Sequence, residues 1–265
     1  MADKDKAWEV YIGRANSFGG RVLRRLLAGS EGGCSLWEMQ GAAPWPFAWE
    51  KSPAGEKKRG LLLPFLEVSR ENAARCLPKA ALCLQRAREF DRVVLLLGEP
   101  VEDLLSLVDR HRAKGLPIVA VCAGRGELYG GEKPEDPSGP VEDLLDLILS
   151  RLASASPRKR ILLPYGEKEV FRLLYVGDLV SAGLFFLRRS SEEADLLVRG
   201  KAYAYGEIAA LAARAAGFGG RLQYGKAKAP KPHDLPKGLG TMSSDRLADP
   251  RAALAYLTQI RSQLK

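Results

Sequence analysis

The sequence alternates short apolar runs with longer segments of helical periodicity, and this alternation constrains the fold more than any other feature. Apolar residues fill nearly every position of Leu61–Leu66, Arg92–Leu97 and Pro117–Cys122. Such runs predict strands that are buried on both faces, as in a parallel sheet. Helical periodicity occurs between them, in Glu71–Glu89 and Val101–Lys114. We therefore expect an α/β fold in which helices cover both faces of a parallel sheet.

The pattern continues along most of the chain, whose 265 residues leave room for one domain or two modest ones. We expect a Rossmann-like doubly wound parallel sheet in residues 1–166 and a small C-terminal cap, residues 167–265, that packs on it as a substrate region. The remaining predicted strands are Glu9–Ile12, Ser35–Trp37, Arg160–Leu163 and Leu196–Val198. The remaining predicted helices are Gly20–Ala28, Val141–Leu152, Asp178–Arg189, Gly206–Ala216 and Pro250–Gln263.

The chain is basic, with 41 Lys and Arg residues against 32 Asp and Glu residues and a formal net charge of +9. The basic residues are spread along the sequence in pairs such as Arg24-Arg25 and Arg188-Arg189, and aromatic residues do not alternate with them. A nucleic-acid surface would need aromatic residues for base stacking or cations clustered on one face. We therefore expect no nucleic-acid partner, and we interpret the excess charge as a solvated surface that attracts anionic small molecules.

Cysteine and histidine usage excludes further classes of protein. The four cysteines form no CxxC pair, and His111 and His233 are far apart in the sequence, so we expect no metal site. No run of about 18 apolar residues occurs, so we expect no membrane-spanning helix. The segment Met1–Lys6 is charged and no apolar segment follows it, so we expect no secretory signal. These features indicate a cytoplasmic protein with reduced thiols.

A turn containing glycine separates the first predicted strand from the first predicted helix. Gly13, Asn16 and Gly19 are spaced three residues apart, and such a turn lets a diphosphate approach the backbone and the amide groups at the start of the helix. Asn16 stands where a further glycine would be most favourable, and asparagine tolerates left-handed backbone angles. The alternative interpretation is a plain structural turn.

The turn and the second predicted strand together suggest a cofactor. Glu38 follows the turn by about 20 residues, where a carboxylate accepts hydrogen bonds from ribose hydroxyls and repels a 2′-phosphate. We therefore expect NAD rather than NADP, with Arg14 close enough to contact a phosphate. The candidate cofactor-binding residues are Gly13, Arg14, Asn16, Phe18, Gly19 and Glu38.

The order of these segments resembles the extended short-chain dehydrogenase/reductase family, the NAD-dependent epimerase/dehydratase group that acts on nucleotide sugars. Val10–Leu27 is similar to the first strand–helix unit of the family, and Asp91–Leu97 resembles its fourth strand. Ile118–Gly130 is similar to the fifth strand and the turn that follows it. Tyr175–Ala182 and Leu197–Ala209 resemble a later helix start and a late strand–helix segment. The resemblance implies a nucleotide or nucleotide-sugar ligand.

Members of this family use a Ser or Thr together with a Tyr and a Lys that lie four residues apart on one helix. The resemblance places the tyrosine position on Val141 and the lysine position on Leu145, and neither side chain can transfer a proton. The hydroxyl position falls near Ala123–Arg125, which contains no Ser or Thr. We therefore expect a catalytically degenerate relative that binds a dinucleotide or nucleotide sugar, or that acts as a scaffold or partner subunit.

An active enzyme with a displaced site is the alternative. Tyr129 and Lys133 have the Tyr-x-x-x-Lys spacing, and so do Tyr224 and Lys228. In this alternative the chain is an NAD(P)-dependent oxidoreductase or epimerase whose catalytic residues are Tyr129 and Lys133. Under either hypothesis, Lys237 in the lysine-rich loop is the candidate contact for a substrate phosphate.

Two predicted helices suggest an oligomer. Val141–Leu152 is apolar over more of its circumference than one buried stripe requires, and Val101–Arg112 carries an apolar stripe as well. In the family the equivalent helices pair across a two-fold axis. The resemblance therefore implies a homodimer, or a heterodimer with an active relative.

Overall fold

The computed structural model describes residues 8–14, 17, 19–23, 36–38, 58–124, 127–129, 148, 151–152, 160–188, 195–229 and 239–243. In chain order its strands are β1 (Trp8–Ile12), β2 (Leu36–Glu38), β3 (Lys58–Phe65), β4 (Arg92–Leu97), β5 (Ile118–Ala123), β6 (Leu128–Tyr129), β7 (Arg160–Tyr165), β8 (Val170–Tyr175), β9 (Leu196–Arg199), β10 (Lys201–Ala204), β11 (Arg221–Ala227) and β12 (Gly240–Ser243). Its helices are α1 (Ala73–Arg86), α2 (Glu102–Arg112), α3 (Val176–Arg188) and α4 (Tyr205–Ala215), and residues 19–23 are also helical.

Seven of these strands form one sheet in the order β12-β9-β5-β4-β3-β1-β2, and every neighbouring pair in it is parallel. All residues of β4 and β5 are buried, as expected for strands that helices cover on both faces. The predicted α/β, Rossmann-like doubly wound parallel sheet is therefore confirmed.

Alternate residues of the central strands pack on opposite faces of the sheet. Leu61, Leu63 and Phe65 share one core with residues of α1 and α2. Leu62 belongs to a second core that contains residues of α3 and of the helical segment 19–23. Because both cores are apolar, the two helical layers bury the central strands β4 and β5 on both faces.

The strands that follow the predicted boundary at residue 166 are divided between the main sheet and two smaller sheets. β9 and β12 join the main sheet, while β7 pairs with β11 and β8 pairs with β6 and β10. The predicted strand Arg160–Leu163 forms the start of β7, so it lies outside the seven-stranded sheet. A third core, centred on Tyr205 of α4, joins these shorter strands. The predicted division at residue 166 stays a prediction, and the predicted helix Pro250–Gln263 lies outside the described residues.

The neighbours of β1 correct the strand-by-strand correspondence with the family. The resemblance matched Asp91–Leu97 to the fourth strand and Ile118–Gly130 to the fifth. In the standard Rossmann order the fourth strand lies beside the first. That position is occupied here by β3, so β4 takes the position of the fifth strand and β5 that of the sixth.

A close backbone approach joins the ends of β3 and β4. A Cβ atom added to Gly98 would lie 2.1 Å from the carbonyl oxygen of Leu66, a backbone atom that cannot move aside alone. Gly98→Ala should therefore lower the free energy of unfolding by about 2 kcal/mol in urea denaturation, as overpacking does. In the control Gly166→Ala, the nearest atom is 3.4 Å away, on the side chain of Glu169. Equal stability of the two variants would show that the close approach of Gly98 to the carbonyl oxygen of Leu66 does not require glycine.

Candidate functional site

The carboxyl ends of β1 and β3 border a crevice at the switch point of the sheet. The chain leaves β1 through the helical segment 19–23, which packs on one face, and it leaves β3 through α1, which packs on the other. The two strands are hydrogen-bonded neighbours. In open α/β sheets, ligands bind in the crevice between two adjacent strands whose connections leave in opposite directions. This crevice is therefore the first candidate for a ligand site.

The turn after β1 is fixed by its contacts with β3. The amide of Gly13 donates to the carbonyl oxygen of Leu62 at 2.8 Å. A Cβ atom added to Gly19 would lie 2.8 Å from Cβ of Pro64, so only glycine lets the chain pass this closely. The turn therefore brings the start of the next helix against the end of β3.

Ser17 caps the helix that follows the turn. Its Oγ accepts a hydrogen bond from the amide of Gly20 at 3.1 Å, as an N-cap side chain does. Ser17 was not predicted as a site residue, although a serine just before a helical segment is the usual signal of an N-cap. The helix start is consequently well defined at the place where an anionic group would be stabilised.

Arg14 is held against β3 by three contacts. Nη1 donates to the carbonyl oxygen of Pro64 at 2.7 Å, Nη2 forms an ion pair with Oε1 of Glu67, and the guanidinium carbon lies 3.9 Å from the centre of the Phe65 ring. The backbone of Arg14 is left-handed, with φ 57°, which is unfavourable for a residue with a Cβ. The guanidinium thus spans the crevice from β1 to β3.

The other predicted site residues are only partly within the described part of the chain. Asn16, Phe18, Lys133 and Lys237 lie outside it. Glu38 is the last residue of β2, so its backbone lies at the same edge of the sheet as the turn.

Tyr129, the predicted catalytic tyrosine of the alternative, lies in β6, where its Cα pairs with that of Tyr175. It is therefore part of a strand rather than of the helix that holds a Tyr-x-x-x-Lys pair in the family.

A buried carboxylate near the end of β5 was not predicted from the sequence. Oε1 of Glu127 accepts from Nε and Nη2 of Arg199, both at 2.7 Å, and Oε2 accepts from the amide of Gly200 at 2.8 Å. The side chain of Glu127 is 8% exposed. A Cβ atom at Gly124 would lie 2.3 Å from this carboxylate. The carboxylate therefore fastens the end of β5 to the segment between β9 and β10.

Removal of this carboxylate should destabilise the fold. Glu127→Ala leaves Arg199 and the amide of Gly200 without their partner, and we expect the free energy of unfolding to fall by about 3 kcal/mol. Glu127→Gln should cost less, since an amide oxygen can still accept from Arg199. Urea denaturation measures both, beside the exposed control Glu102→Ala. A loss in Glu127→Ala no larger than that of the control would show that the cluster contributes nothing.

Asp178 is a half-buried acid in the first turn of α3, within the segment that resembles the family's helix start. Burial raises its pKa to about 6 because the charged form is poorly solvated. The raised pKa means that the folded protein holds this proton more tightly than the unfolded chain, whose aspartates titrate near about 3.9. Ionisation of Asp178 therefore lowers the free energy of unfolding above pH 6, whereas below pH 4 the carboxyl group is protonated in both states and has no such effect.

Asp178→Asn should remove this pH-dependent contribution to the free energy of unfolding. We expect the variant to be more stable than the wild type at pH 8, with the difference shrinking as the pH falls from about 6 to about 4. Urea midpoints at pH 8 and pH 4 measure the effect. The control Asp103→Asn changes an exposed acid in the first turn of α2. A difference of the same size at both pH values would contradict the assigned cause.

No group of three or more His, Cys, Asp or Glu side chains that could hold a metal ion occurs among the described residues. In the same part of the chain, no helix is both long and apolar enough to cross a membrane.

Comparisons with known proteins identify the fold. The sequence matches no protein-family model and no curated protein. A GDP-L-fucose synthetase from Naegleria fowleri bound to NADP matches with a TM-score of 0.66 at 10% identity, over 99% of this chain and 96% of that one. MoeE5 in complex with UDP-glucose and NAD matches with a TM-score of 0.57 at 15% identity, over 97% and 100%.

A third solved structure agrees with these two. A UDP-N-acetylglucosamine 4-epimerase from Methanobrevibacter ruminantium, in complex with UDP-N-acetylmuramic acid, matches with a TM-score of 0.60 at 12% identity, over 98% of this chain and 100% of that one. Similarity at these identities reports on the fold and not on the chemistry. The chain therefore has the fold of these nucleotide-sugar enzymes, which is the fold implied by its resemblance to the extended short-chain dehydrogenase/reductase family.

Proposed function

We propose that this chain is a catalytically degenerate relative of the NAD-dependent epimerases and dehydratases, which binds a dinucleotide or a nucleotide sugar. The observation that carries the proposal is the glycine turn at the switch point of this fold. Gly13 and Gly19 bring the turn against β3, and Ser17 caps the helix start beside it. In each of the three matching structures, the protein is bound to NADP, to NAD with a nucleotide sugar, or to a nucleotide-sugar derivative.

Some residues of the crevice favour a dinucleotide, and another, Glu67, opposes it. The turn and the capped helix start favour a diphosphate, because amide groups at a helix N-terminus stabilise an anion. The carboxylate of Glu67, paired with Arg14, disfavours one at the same place. A bound dinucleotide would supply hydride transfer, whereas this chain would supply the turn, the helix start and the charge of Arg14.

The absence of a proton-transferring set supports degeneracy under both strand correspondences. With β5 as the fifth strand, the tyrosine and lysine positions fall on Val141 and Leu145. With β4 in that position, the following segment 98–112 contains no Tyr, Lys or Thr, and its one serine, Ser106, is exposed on α2. Since neither alignment supplies the Tyr and Lys pair that acts as general base and cation in the epimerases and dehydratases, efficient hydride chemistry is not expected.

The identity of the cofactor and of the partners rests on fewer observations. Glu38 favours NAD over NADP, because a carboxylate repels a 2′-phosphate. Lys237 remains the proposed contact for the ligand's phosphate, and a homodimer or a heterodimer with an active relative remains the proposed assembly. If the crevice binds no dinucleotide, the degenerate protein would instead act as a scaffold.

Binding can be tested with a variant that leaves the helix cap in place. Aspartate caps helices about as well as serine, so Ser17→Asp should fold normally while placing a negative charge beside the turn. We expect calorimetry to show that Ser17→Asp binds NAD at least about tenfold more weakly than the wild type, because the new carboxylate repels the diphosphate. A tenfold change in Kd corresponds to about 1.4 kcal/mol of binding free energy. The control Ser106→Asp adds the same charge on the exposed face of α2 and should leave the affinity unchanged. Equal affinities of all three proteins would place the ligand elsewhere.

Catalysis is tested separately from binding. Hydride transfer with NAD(H) and NADP(H) across a panel of nucleotide sugars should give turnover below about 1 s⁻¹, the low end of ordinary enzymes. Faster turnover that disappears in Tyr129→Phe, but not in the control Tyr224→Phe, would establish the alternative of an active enzyme with a displaced site. Binding of neither dinucleotide nor nucleotide sugar would instead favour the scaffold.

A further inference from the structure

We propose that Glu67 occupies the anion position of the crevice, so that an anionic ligand must displace its carboxylate from Arg14. The inference rests on the proposed function and adds a competing group supplied by the chain itself. Glu67 follows β3 directly after the turn residue Leu66, and its contact with Arg14, 53 positions earlier, was not predicted. The contact is thus a long-range product of the fold.

The position of the ion pair is the first reason for the proposal. Arg14 follows β1 and Glu67 follows β3, at the carboxyl ends of two adjacent parallel strands. An anion that rests on the turn after β1 would meet the guanidinium of Arg14 at this place. The carboxylate of Glu67 already contacts Nη2 of that guanidinium, and the two side chains are only 15% and 16% exposed.

The guanidinium of Arg14 is placed by contacts that do not involve Glu67. Nη1 donates to the carbonyl oxygen of Pro64, and Cζ of the guanidinium lies over the Phe65 ring, 3.9 Å from its centre. A cation over an aromatic face is stabilised by the ring quadrupole. Arg14 can therefore stay in the crevice when its anionic partner is exchanged. The backbone of Arg14 is left-handed, a conformation that is unfavourable for a residue with a Cβ.

The carboxylate of Glu67 is bound on one side only. Oε1 contacts Arg14, whereas Oε2 is buried and has no hydrogen-bond partner within the described part of the chain. A buried oxygen without a donor is unfavourable, because it has lost its water and gained nothing. A phosphate at the same place could instead accept from Arg14, whereas the amides of Gly13, Ser17 and Gly20 already donate to other groups. The exchange would therefore release a poorly satisfied group.

The loop that carries Glu67 does not depend on its carboxylate. Nδ2 of Asn72 donates to the backbone oxygen of Glu67 at 2.9 Å, and Oδ1 of Asn72 accepts from the amide of Ser69 at 2.9 Å. These bonds hold the backbone of the loop. The side chain of Glu67 can therefore leave Arg14 by rotating about its own bonds, and a substitution that keeps its shape should leave the fold intact.

Inorganic pyrophosphate is the direct probe, because it carries the charge of a dinucleotide without its bases. In calorimetry with the full-length protein, Glu67→Gln should bind pyrophosphate at least about tenfold more tightly than the wild type, a difference of about 1.4 kcal/mol. Glu71→Gln removes the same charge from an exposed position of the same loop and should change the affinity less than twofold. In the double variant Arg14→Gln/Glu67→Gln, the gain should be lost.

The same titrations with NAD separate this inference from the proposed function. Tighter binding of both pyrophosphate and NAD by Glu67→Gln supports both. Tighter binding of pyrophosphate alone supports the competing role of Glu67 and overturns dinucleotide binding. Equal binding of pyrophosphate by the wild type and Glu67→Gln, or an equal gain in Glu71→Gln, overturns the competing role, as does a failure of every variant to bind pyrophosphate. Glu67→Ala, with thermal unfolding as a check of folding, should show the same gain in pyrophosphate affinity, because it also removes the carboxylate from Arg14.

Discussion

Burial of both faces of the central strands is the constraint on which the rest of the structure depends. β4 and β5 contain no exposed residue, so each needs a helical layer on either side. α1 and α2 supply one layer, and α3 with the segment 19–23 supplies the other. Because α1 and α2, which follow β3 and β4, cover one face while the segment 19–23, which follows β1, covers the other, the chain reverses its direction of winding between β1 and β3. The crevice exists at that place for this reason, and so does the contact between Arg14 and Glu67.

The strands of the main sheet were predictable because their signal is local. Arg92–Leu97 was predicted to the residue, and β1, β3 and β5 were predicted within a few residues of their bounds. Of the later strands, the start of β7 and most of β9 were predicted, whereas β8, β10, β11 and β12 were not. β11 alternates exposed and half-buried positions and belongs to a two-stranded sheet, so it lacks the continuous apolar run of a buried strand. The order of strands was also not predictable, because adjacency depends on how helices pack and not on the apolar run within a strand.

In the candidate site, too, local patterns were predictable from the sequence and long-range contacts were not. The glycine turn was predictable, since its spacing between a strand and a helix is a local pattern. The contacts of Arg14 were not, because its partners follow a strand about 50 residues later in the chain. Glu67 could have been singled out as an acid immediately after an apolar strand, at the edge where ligands of parallel sheets bind. Glu127 had no such signal, as its partners Arg199 and Gly200 come from a distant segment.

The strand order also has a consequence for how the protein is made. β5 is a neighbour of β9, yet about 70 residues separate them in the chain, an interval that takes roughly 4–14 s at ordinary translation rates of 5–20 residues per second. During that interval the nascent sheet has an open edge of unpaired backbone groups at β5. The face that α3 will cover is also bare until residues 176–188 have left the ribosome. Nascent chains of this protein are therefore expected to be clients of chaperones that bind exposed apolar strands, and to aggregate when synthesis outpaces that protection.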